Sequence, residues 1–409
     1  MTILFLNSSS YSHTPIDKWT DDTDETIICI TPAKNVAEYK EKLSEGKFEI
    51  VAIKDWEDKT TIDIAINTIY NKKIFNKVIS MREKDIIHAA YIREHFELMG
   101  QTISSAMAFR DKYVMKNLAI QNNIKVPIFS KVNTFFDVVN FTNKNKFPVV
   151  VKPRLGAGSV DTFIINNSLE MEENLRGVDL KNFIIEEFID GSIFHVDGLI
   201  KDGEIEFIIP SKYINECIEY KIGKSTSSFT LEKNNILYTK LIKYTLILLK
   251  KFPTPQNTTF HLEVFITHDG EIILCEVASR TAGGKIPKCI EYRTGTDMNR
   301  TWFRNQLGLL TEENSVKREM LYGSIQCAPK HGKLTSIPKE LPFDWVKLYE
   351  VYAKEGDFYQ GATSSVFAIA SVIVEGESEQ DVTKRLNQVD EYIKLNTIYI
   401  VVSLVLNFS

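Results

Sequence analysis

Short apolar runs alternate with polar segments over the first hundred residues. Four runs have the length and composition of buried strands, at residues 3–6, 27–30, 50–53 and 75–81. Segments with helical spacing lie between or after them, most clearly at residues 36–44 and 85–97. Strands that alternate with helices predict a small parallel α/β domain over residues 1–100.

The rest of the chain shows both helical and strand patterns. Residues 109–121 have the spacing of an amphipathic helix, with Val114, Met115, Leu118 and Ala119 facing inward. Later patterns predict strands at 148–152, 163–165, 183–189 and 194–200, a long helix at 234–251 and a hairpin at 260–277. The last block combines strands with a helix at 380–393 and a Val- and Ile-rich strand at 398–406. We therefore expect a region of mixed α and β structure at the C-terminus.

The composition is that of an ordinary globular protein of two or three domains. Its 409 residues are 44% hydrophobic and 25% charged, and 49 basic against 54 acidic side chains give a formal net charge of −5. This balance excludes disorder and a coiled coil, and it does not favour nucleic acid as a partner. The five cysteines are scattered singly, which favours reduced thiols over a zinc site or a disulfide framework.

The patterns of export and membrane insertion are not seen in the sequence. Residues 1–7 are apolar but lack a basic flank and a cleavage site, so they predict a first strand rather than a signal peptide. The apolar run near the C-terminus is about half of the ~20 residues that a membrane helix needs. We expect a cytoplasmic protein without a membrane partner.

A predicted hairpin places two carboxylates together. A two-residue turn at Asp269 and Gly270 sets Glu263 directly opposite Glu276. Opposed side chains lie only about 5 Å apart, so two like charges there favour a bound cation such as Mg²⁺ or Mn²⁺. Strand alternation brings Arg280 to the same face, which suits a polyphosphate with its metals. An edge hairpin with solvated acids, or an arginine that only pairs with a glutamate, is an equal alternative.

A second feature is a strand that ends in Lys152 and runs into a loop with Gly156, Gly158 and Ser159. An ammonium group and free backbone N–H groups can surround phosphate oxygens in such a loop. A mobile surface turn explains the same residues equally well. Residues 223–225, Gly-Lys-Ser, copy the end of a Walker loop, but Ile218 stands where its first glycine belongs, which argues against a P-loop.

Two further features are weak by themselves. Glu186 and Glu187 follow an apolar strand and are typical of an ordinary strand end. Lys112 and Lys116 lie one helical turn apart, and this spacing favours a solvated basic face over a binding role.

In this order the motifs resemble those of the ATP-grasp superfamily, over roughly residues 83–376. Lys112 resembles the family's lysine that touches the ATP phosphates. Lys152 resembles the second phosphate lysine, and the loop with Gly158 and Ser159 resembles the mobile lid. The resemblance therefore implies that these residues bind ATP.

The resemblance also implies an adenine-reading hinge. The hinge positions are Glu186, Glu187 and Ile189. The family commonly has a ribose-binding glutamate shortly after the hinge, and Ile193 stands at that position here. Another group, such as Ser192 or His195, would then bind the ribose, unless the alignment of this loop shifts by one residue.

Glu263 and Glu276 resemble the family's two metal-binding acids, and Arg280 resembles the arginine beside the reacting phosphoryl group. The segment 276–287 is similar to the branch of L-amino acid ligases, which join two amino acids. Ala278, where many relatives have asparagine, is usual in that branch. Two residues of the segment are expected to let a substrate backbone approach closely, Gly283 and Gly284.

The implied fold class combines α/β and α+β structure in an ATP-grasp fold. A parallel α/β pre-ATP-grasp domain would occupy residues 1–100, and the ATP-grasp core would occupy 101–315, with a lid at about 130–200. A C-terminal mixed α/β lobe would occupy 316–409. The implied cofactors are ATP and two Mg²⁺ or Mn²⁺ ions, and the implied chemistry is phosphorylation of a carboxylate followed by attack of an amine on the acyl phosphate. In that chemistry Lys152 and Arg280 would steady the transferring phosphoryl group.

Several alternatives stay open at this point. The amine acceptor is a free amino acid, a carrier protein or a specialised metabolite. A carboxylating enzyme on the same scaffold is less favoured, because the loop at residues 154–159 lacks a run of consecutive glycines. A protein that only binds nucleotide would not need the metal acids and the arginine together. A homodimer through the N-terminal domain is consistent with the family.

Overall fold

The computed structural model describes residues 1–215, 217–311 and 319–400, which form four β-sheets with helices packed against them. The first sheet lies in the N-terminal region and is parallel throughout, in the strand order β3-β2-β1-β4. Its strands are β1 (Thr2–Leu6), β2 (Thr26–Pro32), β3 (Phe48–Ile53) and β4 (Lys77–Ile79). The helices of this region are α1 (Ile16–Trp19), α2 (Val36–Lys42), α3 (Lys59–Lys72) and α4 (Ile86–His95). The predicted parallel α/β domain is confirmed.

Both faces of this first sheet are buried, because alternate residues of its strands enter two different cores. Ile3 and Phe5 pack on one side, while Leu4 and Leu6 pack on the other. This explains why its strands appear in the sequence as continuous apolar runs.

A helical connection leads into a second, antiparallel sheet that we call the lid sheet, β5 to β8. The connecting helices are α5 (Ile103–Ala108) and α6 (Lys112–Gln121). The lid strands are β5 (Phe129–Val132), β6 (Val149–Pro153), β7 (Phe163–Ile165) and β8 (Phe183–Glu187), in the order β5-β8-β6-β7. Helices α7 (Phe135–Asn145) and α8 (Ser168–Leu175) cover one face of the lid sheet and enclose a small core of their own.

The remaining strands and helices follow in chain order. The strands are β9 (Gly191–Lys201), β10 (Glu204–Tyr213), β11 (Thr226–Thr230), β12 (Thr258–Thr267), β13 (Ile272–Ala278), β14 (Leu321–Cys327), β15 (Gly332–Ser336), β16 (Val346–Val351), β17 (Phe358–Tyr359), β18 (Ala370–Gly376) and β19 (Ile398–Ile400). The helices are α9 (Ile236–Lys251), α10 (Ile286–Thr294), α11 (Met298–Leu307) and α12 (Glu379–Asn396).

Eight of these strands form one antiparallel sheet in the order β13-β12-β9-β10-β11-β14-β18-β16, and β17-β15-β19 form a small fourth sheet. The eight-stranded sheet continues across the predicted domain boundary at residues 315 and 316, because β14 pairs with β11. The boundary residues themselves lie outside the described ranges. The predicted strand at 398–406 is described only as far as residue 400, where it forms β19.

The N-terminal region is fixed to the larger sheet through α11. The Phe303 ring packs edge-on against Phe5 with ring centroids 5.2 Å apart, and the Arg304 guanidinium pairs with Asp22 at 2.7 Å. Across the described ranges, no helix has the length and apolar character needed to span a bilayer.

The predicted pairing of Glu263 with Glu276 is present, although the hairpin reaches it by a different route. Thr267 lies opposite Glu271, so three residues rather than two form the turn, and Gly270 adopts φ +82° there. This shifts the register by one position. A β-bulge at Cys275 then shifts it back, and Glu263 again faces Glu276.

Candidate active site

A cleft of about 880 Å³, including its open mouth, lies between the lid sheet and the end of the eight-stranded sheet. Many predicted site residues line it: Lys112, Lys152, Gly158, Ser159, Glu186, Glu187, Ile189, Glu263 and Glu276. Apolar walls come from β6, β7 and the hairpin, and Ile193 contributes to them. Of the predicted residues, Arg280, Gly283 and Gly284 are not among the described residues that line this cleft.

Two lysines face the cleft from opposite elements, and each is held by a carboxylate. Lys112, in the first turn of α6, lies 2.8 Å from Glu276 Oε2 and donates a hydrogen bond to the Gly156 carbonyl at 2.9 Å. Lys152, near the end of β6, lies 3.0 Å from Glu186 Oε2. Burial alone would lower the pKa of Lys152, but Glu186 outweighs it and raises that pKa. Lys152 therefore keeps its positive charge, and the salt bridges fix both lysine side chains at the wall of the cleft.

The expectation of a solvated basic face at Lys112 and Lys116 is wrong. Lys116 is fully buried, lies 3.3 Å from Glu186 Oε1 and donates to the Cys275 carbonyl at 2.9 Å. Burial dominates its electrostatics, so the pKa of Lys116 is lowered. Glu186 thus sits between two lysines, and its side chain is occupied in joining the lid sheet to α6.

Glu187 joins the segment that enters the lid sheet to the segment that leaves it. The Ile128 N–H donates to Glu187 Oε1 at 2.8 Å, and the Glu187 N–H donates to the Ile128 carbonyl at 2.9 Å. Phe188 and Ile189 follow and line the cleft. This short segment therefore offers the backbone groups and the apolar surface that suit a planar base.

The loop after Lys152 lies folded over the cleft. Gly158 and Ser159 both have left-handed backbone conformations, with φ +63° and +55°. The Gly158 carbonyl accepts a hydrogen bond from the Ser365 N–H at 3.1 Å, and the Ser159 carbonyl accepts one from the Tyr220 hydroxyl at 3.2 Å. The loop is thus held from two sides of the larger sheet.

The opposed acids Glu263 and Glu276 lie at the inner end of the cleft. Tyr213 donates to Glu263 Oε1 at 2.9 Å, and His261 Nε2 lies 3.3 Å from the same oxygen. Burial alone would raise the pKa of Glu276, but Lys112 and Lys152 outweigh it and lower that pKa. The two carboxylates offer hard oxygen ligands, which fit Mg²⁺ or Mn²⁺.

Arg280 is held on the far side of Glu276 by a residue that sequence reasoning missed. Its Nε donates to Glu83 Oε2 at 2.7 Å, and Arg110 Nη1 lies 3.3 Å from Glu83 Oε1. Glu83 begins a short 3₁₀ turn just after β4, at the carboxyl end of the parallel sheet. Functional groups cluster at that end of parallel sheets, which is the one signal that could have indicated Glu83.

The two glycines beside Arg280 lie against the C-terminal part of the chain. A Cβ on Gly283 would stand 3.1 Å from the Val366 side chain, and a Cβ on Gly284 would stand 3.1 Å from Gln326 Nε2. Gly284 has φ +60°, a conformation that side chains disfavour. Any substrate that reaches Arg280 therefore meets a surface made by the C-terminal strands as well.

His195, considered above for the ribose, is buried beside Asp197 and does not line the cleft among the described residues. Its Nδ1 lies 2.6 Å from Asp197 Oδ2, and His261 Nδ1 lies 2.9 Å from Asp197 Oδ1. Burial alone would lower the pKa of His261, but Asp197 and Glu263 outweigh it and raise it to about 10. A charged, hydrogen-bonded network therefore lies behind Glu263.

Comparison with known proteins agrees with this geometry. Residues 145–288, which include most of the lid sheet and the paired acids, match the family profile described as an ATP-grasp domain. This chain therefore contains a segment that is similar to an ATP-grasp domain.

The ATP-grasp fold extends over nearly the whole chain. The crystal structure of an L-amino acid ligase from Bacillus licheniformis superposes with a TM-score of 0.74, covering 98% of each chain at 15% identity. The predicted ATP-grasp fold with its N-terminal parallel domain is confirmed.

Two known ligases are similar to this chain in sequence. The L-arginine-specific L-amino acid ligase of Bacillus subtilis is 27% identical over 403 residues, which are 93% of this chain and 94% of that protein. The D-alanine–D-alanine ligase of Aquifex aeolicus is 30% identical over 184 residues, which are 44% of this chain and 60% of that protein. Both relatives are ligases.

Proposed function

We propose that this protein is an ATP-dependent carboxylate-amine ligase that joins two amino acids through an acyl phosphate. The observation that carries the proposal is the pairing of Glu263 with Glu276 at the inner end of the cleft, with Lys112 and Lys152 beside them and Arg280 near enough to interact electrostatically with both acids. Similarity to an L-amino acid ligase over 93% of the chain supports the same reaction class.

The nucleotide would lie under the lid loop. Lys112 and Lys152 would contact the phosphates, since both ammonium groups already face acceptors in the cleft. Backbone N–H groups near Gly158 and Ser159 would add donors when the loop closes. The base would lie against the segment that contains Glu187 and Ile189.

Glu263 and Glu276 would hold Mg²⁺ or Mn²⁺ between them. A bound divalent ion neutralises charge on the transferring phosphoryl group and aligns the reacting oxygens. Arg280 lies beyond Glu276, where it would steady the same group from the substrate side. If Glu276 lies between the cleft and Arg280, a carboxylate acceptor near Arg280 would approach the phosphoryl group from the side opposite ADP.

The chemistry requires two displacements. A carboxylate oxygen of the first amino acid attacks the γ-phosphorus, and the bond to ADP breaks. The amine of the second amino acid then attacks the acyl carbon, phosphate leaves, and the amine proton is lost to solvent. The loop at Gly158 would keep water away from the acyl phosphate while both steps occur.

The test is product analysis with purified protein, ATP and Mg²⁺, screened against amino acids singly and in pairs. We expect ADP and phosphate, together with a dipeptide, only with particular amino acids. Glu276→Gln should abolish ADP formation, because it removes a charge from the metal position. Glu271→Gln is the matched control, since Glu271 lies directly after the turn of the same hairpin, pairs with Lys125 and is exposed.

Other outcomes would contradict the proposal in distinguishable ways. Formation of AMP and pyrophosphate would exclude the acyl-phosphate mechanism. Bicarbonate-dependent turnover would indicate a carboxylating enzyme. Turnover that requires a carrier protein would indicate that the acceptor is the carrier and not a free amino acid. Full activity of Glu276→Gln would show that the paired acids are not part of the mechanism.

A further inference from the structure

Glu263 is the point where a buried polar network of the eight-stranded sheet reaches the cleft. Glu263 and His261 alternate on β12, and Asp197 and His195 alternate on the neighbouring β9. Glu263 lies opposite His195, and His261 lies opposite Asp197, so all four side chains share one face of the sheet. Tyr213 reaches the same face from the end of β10 and contacts Glu263.

Hydrogen bonds connect Asp197 to Glu263 through the ring of His261. Asp197 is completely buried and accepts from His195 at 2.6 Å and from His261 at 2.9 Å. The other nitrogen of His261 lies 3.3 Å from Glu263 Oε1. Each ring nitrogen of His261 therefore contacts a carboxylate oxygen, and these two contacts fix the ring between Asp197 and Glu263.

Both of the network's contacts with Glu263 end on the same oxygen, Oε1. The Tyr213 hydroxyl donates to it at 2.9 Å, in addition to the contact from His261. A carboxylate held at one oxygen by two donors from different strands has a fixed plane. The network therefore also fixes the direction of the second oxygen, Oε2.

Three residues of this network could also be considered a metal site, because ligating atoms of His195, Asp197 and His261 lie within 4.8 Å of one another. The distances argue otherwise. Each histidine directs Nδ1 at an oxygen of Asp197 at 2.6 or 2.9 Å, which is the length of a hydrogen bond, so these nitrogens already have Asp197 as their partner.

We propose that Asp197 and Tyr213 are positioning residues that act through Glu263. Asp197 fixes His261, and His261 with Tyr213 holds Glu263 Oε1, so that Oε2 is presented to the divalent cation. The inference rests on the proposed role of Glu263 as a metal ligand. It assigns a role to buried groups on β9 and β10 that touch neither nucleotide nor amino acid.

The test measures Mn²⁺ binding directly. Mn²⁺ is titrated into the full-length protein in the presence of ADP, and free Mn²⁺ is followed by electron paramagnetic resonance. We expect Asp197→Asn to weaken Mn²⁺ binding about 10- to 100-fold, the range found when the partners of metal ligands are removed. Tyr213→Phe should weaken it about fivefold, since one hydrogen bond of ordinary strength is lost. ADP binding without metal should be unchanged in both variants.

Tyr349→Phe is the matched control. It removes a tyrosine hydroxyl that donates to the Pro338 carbonyl at 2.6 Å, in the C-terminal region and away from the cleft. Its Mn²⁺ binding should equal that of the unaltered protein. If Asp197→Asn does not fold, as judged by circular dichroism, the Tyr213→Phe comparison decides the matter alone.

The outcomes separate this inference from the proposed function. If the wild-type protein binds Mn²⁺ tightly and a folded Tyr213→Phe variant binds it equally tightly, only the positioning role is overturned. Failure of the unaltered protein to bind Mn²⁺ with ADP would overturn both proposals. Equal loss of binding in Tyr213→Phe and Tyr349→Phe would also overturn the positioning role, since it would indicate a general effect of stability.

Discussion

Arg280 and Glu83 are 197 positions apart in the sequence, yet the guanidinium donates from both Nε and Nη2 to Glu83 Oε2. Glu83 lies just after the last strand of the parallel sheet, and Arg280 follows β13 of the large sheet. Arg110 approaches the other oxygen of Glu83 at 3.3 Å. The N-terminal region therefore supplies the carboxylate that holds an arginine of the candidate active site.

Glu83→Gln should impair catalysis without weakening nucleotide binding. The substitution leaves Arg280 and Arg110 without their anionic partner, and the pKa of Glu83 is already lowered because these arginines outweigh its burial. We expect kcat/KM for the amino acid to fall by the equivalent of about 1–3 kcal/mol, while ADP affinity is kept. Glu94→Gln, on an exposed position of α4, is the control. Weaker ADP binding in Glu83→Gln would contradict this separation.

Gly198→Ala should destabilise the large sheet. A Cβ at this position would stand 2.4 Å from the Phe260 ring and 2.5 Å from the Phe207 carbonyl, at the centre of three paired strands. Because the ring must move within a packed core, we expect a loss of about 3 kcal/mol in the free energy of unfolding. Gly203→Ala meets nothing within 4 Å and strains only its φ of +84°, so about 1 kcal/mol is expected there. Urea denaturation measures both, and equal losses would contradict the packing argument.

Tyr220→Phe should loosen the lid loop. The hydroxyl donates to the Ser159 carbonyl at 3.2 Å, and its loss removes one of the contacts that hold the loop over the cleft. We expect ADP to dissociate about fivefold faster, the equivalent of one hydrogen bond, as measured by stopped-flow fluorescence of a labelled ADP. Tyr292→Phe removes a similar bond to the Lys347 carbonyl outside the cleft and should leave the rate unchanged.

Glu276→Gln should flatten the acid dependence of stability. Lys112 and Lys152 lower the pKa of Glu276 below its value in the unfolded chain, near ~4.3. A lowered pKa stabilises the fold above that value, and the contribution is lost as the pH falls through the folded pKa. The unaltered protein should therefore be more stable than Glu276→Gln at neutral pH, and the difference should shrink below pH ~4.3. Urea unfolding of both proteins at neutral pH and below pH ~4.3 checks this prediction. A difference in the free energy of unfolding that does not depend on pH would count against it.

The sequence predicted the elements well where side-chain periodicity was strong, and less well where tertiary contacts decide. The four parallel strands and the long helices near residues 236–251 and 379–396 appear close to their predicted bounds. Helix α3 was missed because only Ile62 and Ile66 of its apolar residues are fully buried, while Ile64 is exposed. Its stripe is too narrow to stand out in the sequence.

Charged residues were the hardest to interpret. Lys116 was predicted to be solvated, because helical spacing alone does not show that its ammonium group donates hydrogen bonds to the carbonyls of Leu274 and Cys275. Glu83 could not be assigned to the candidate site, because its partner Arg280 is distant in the sequence. The facing of Glu263 and Glu276 was predicted correctly only because the longer turn and the bulge cancel, and neither leaves a clear mark in the composition.

The continuity of the eight-stranded sheet limits how this molecule can move. Bending it between the cleft and the C-terminal strands would break a ladder of hydrogen bonds, whereas the lid sheet joins the body through two adjacent chain crossings, near Ile128 and residues 188–190. Rotation about that narrow hinge would also have to break the contacts that hold the lid loop, those of Gly158 with Ser365 and of Ser159 with Tyr220. If nucleotide binds under the lid as proposed, we expect its entry and release to depend on movement of this one small sheet, while the wall that carries Glu263 and Glu276 keeps its shape.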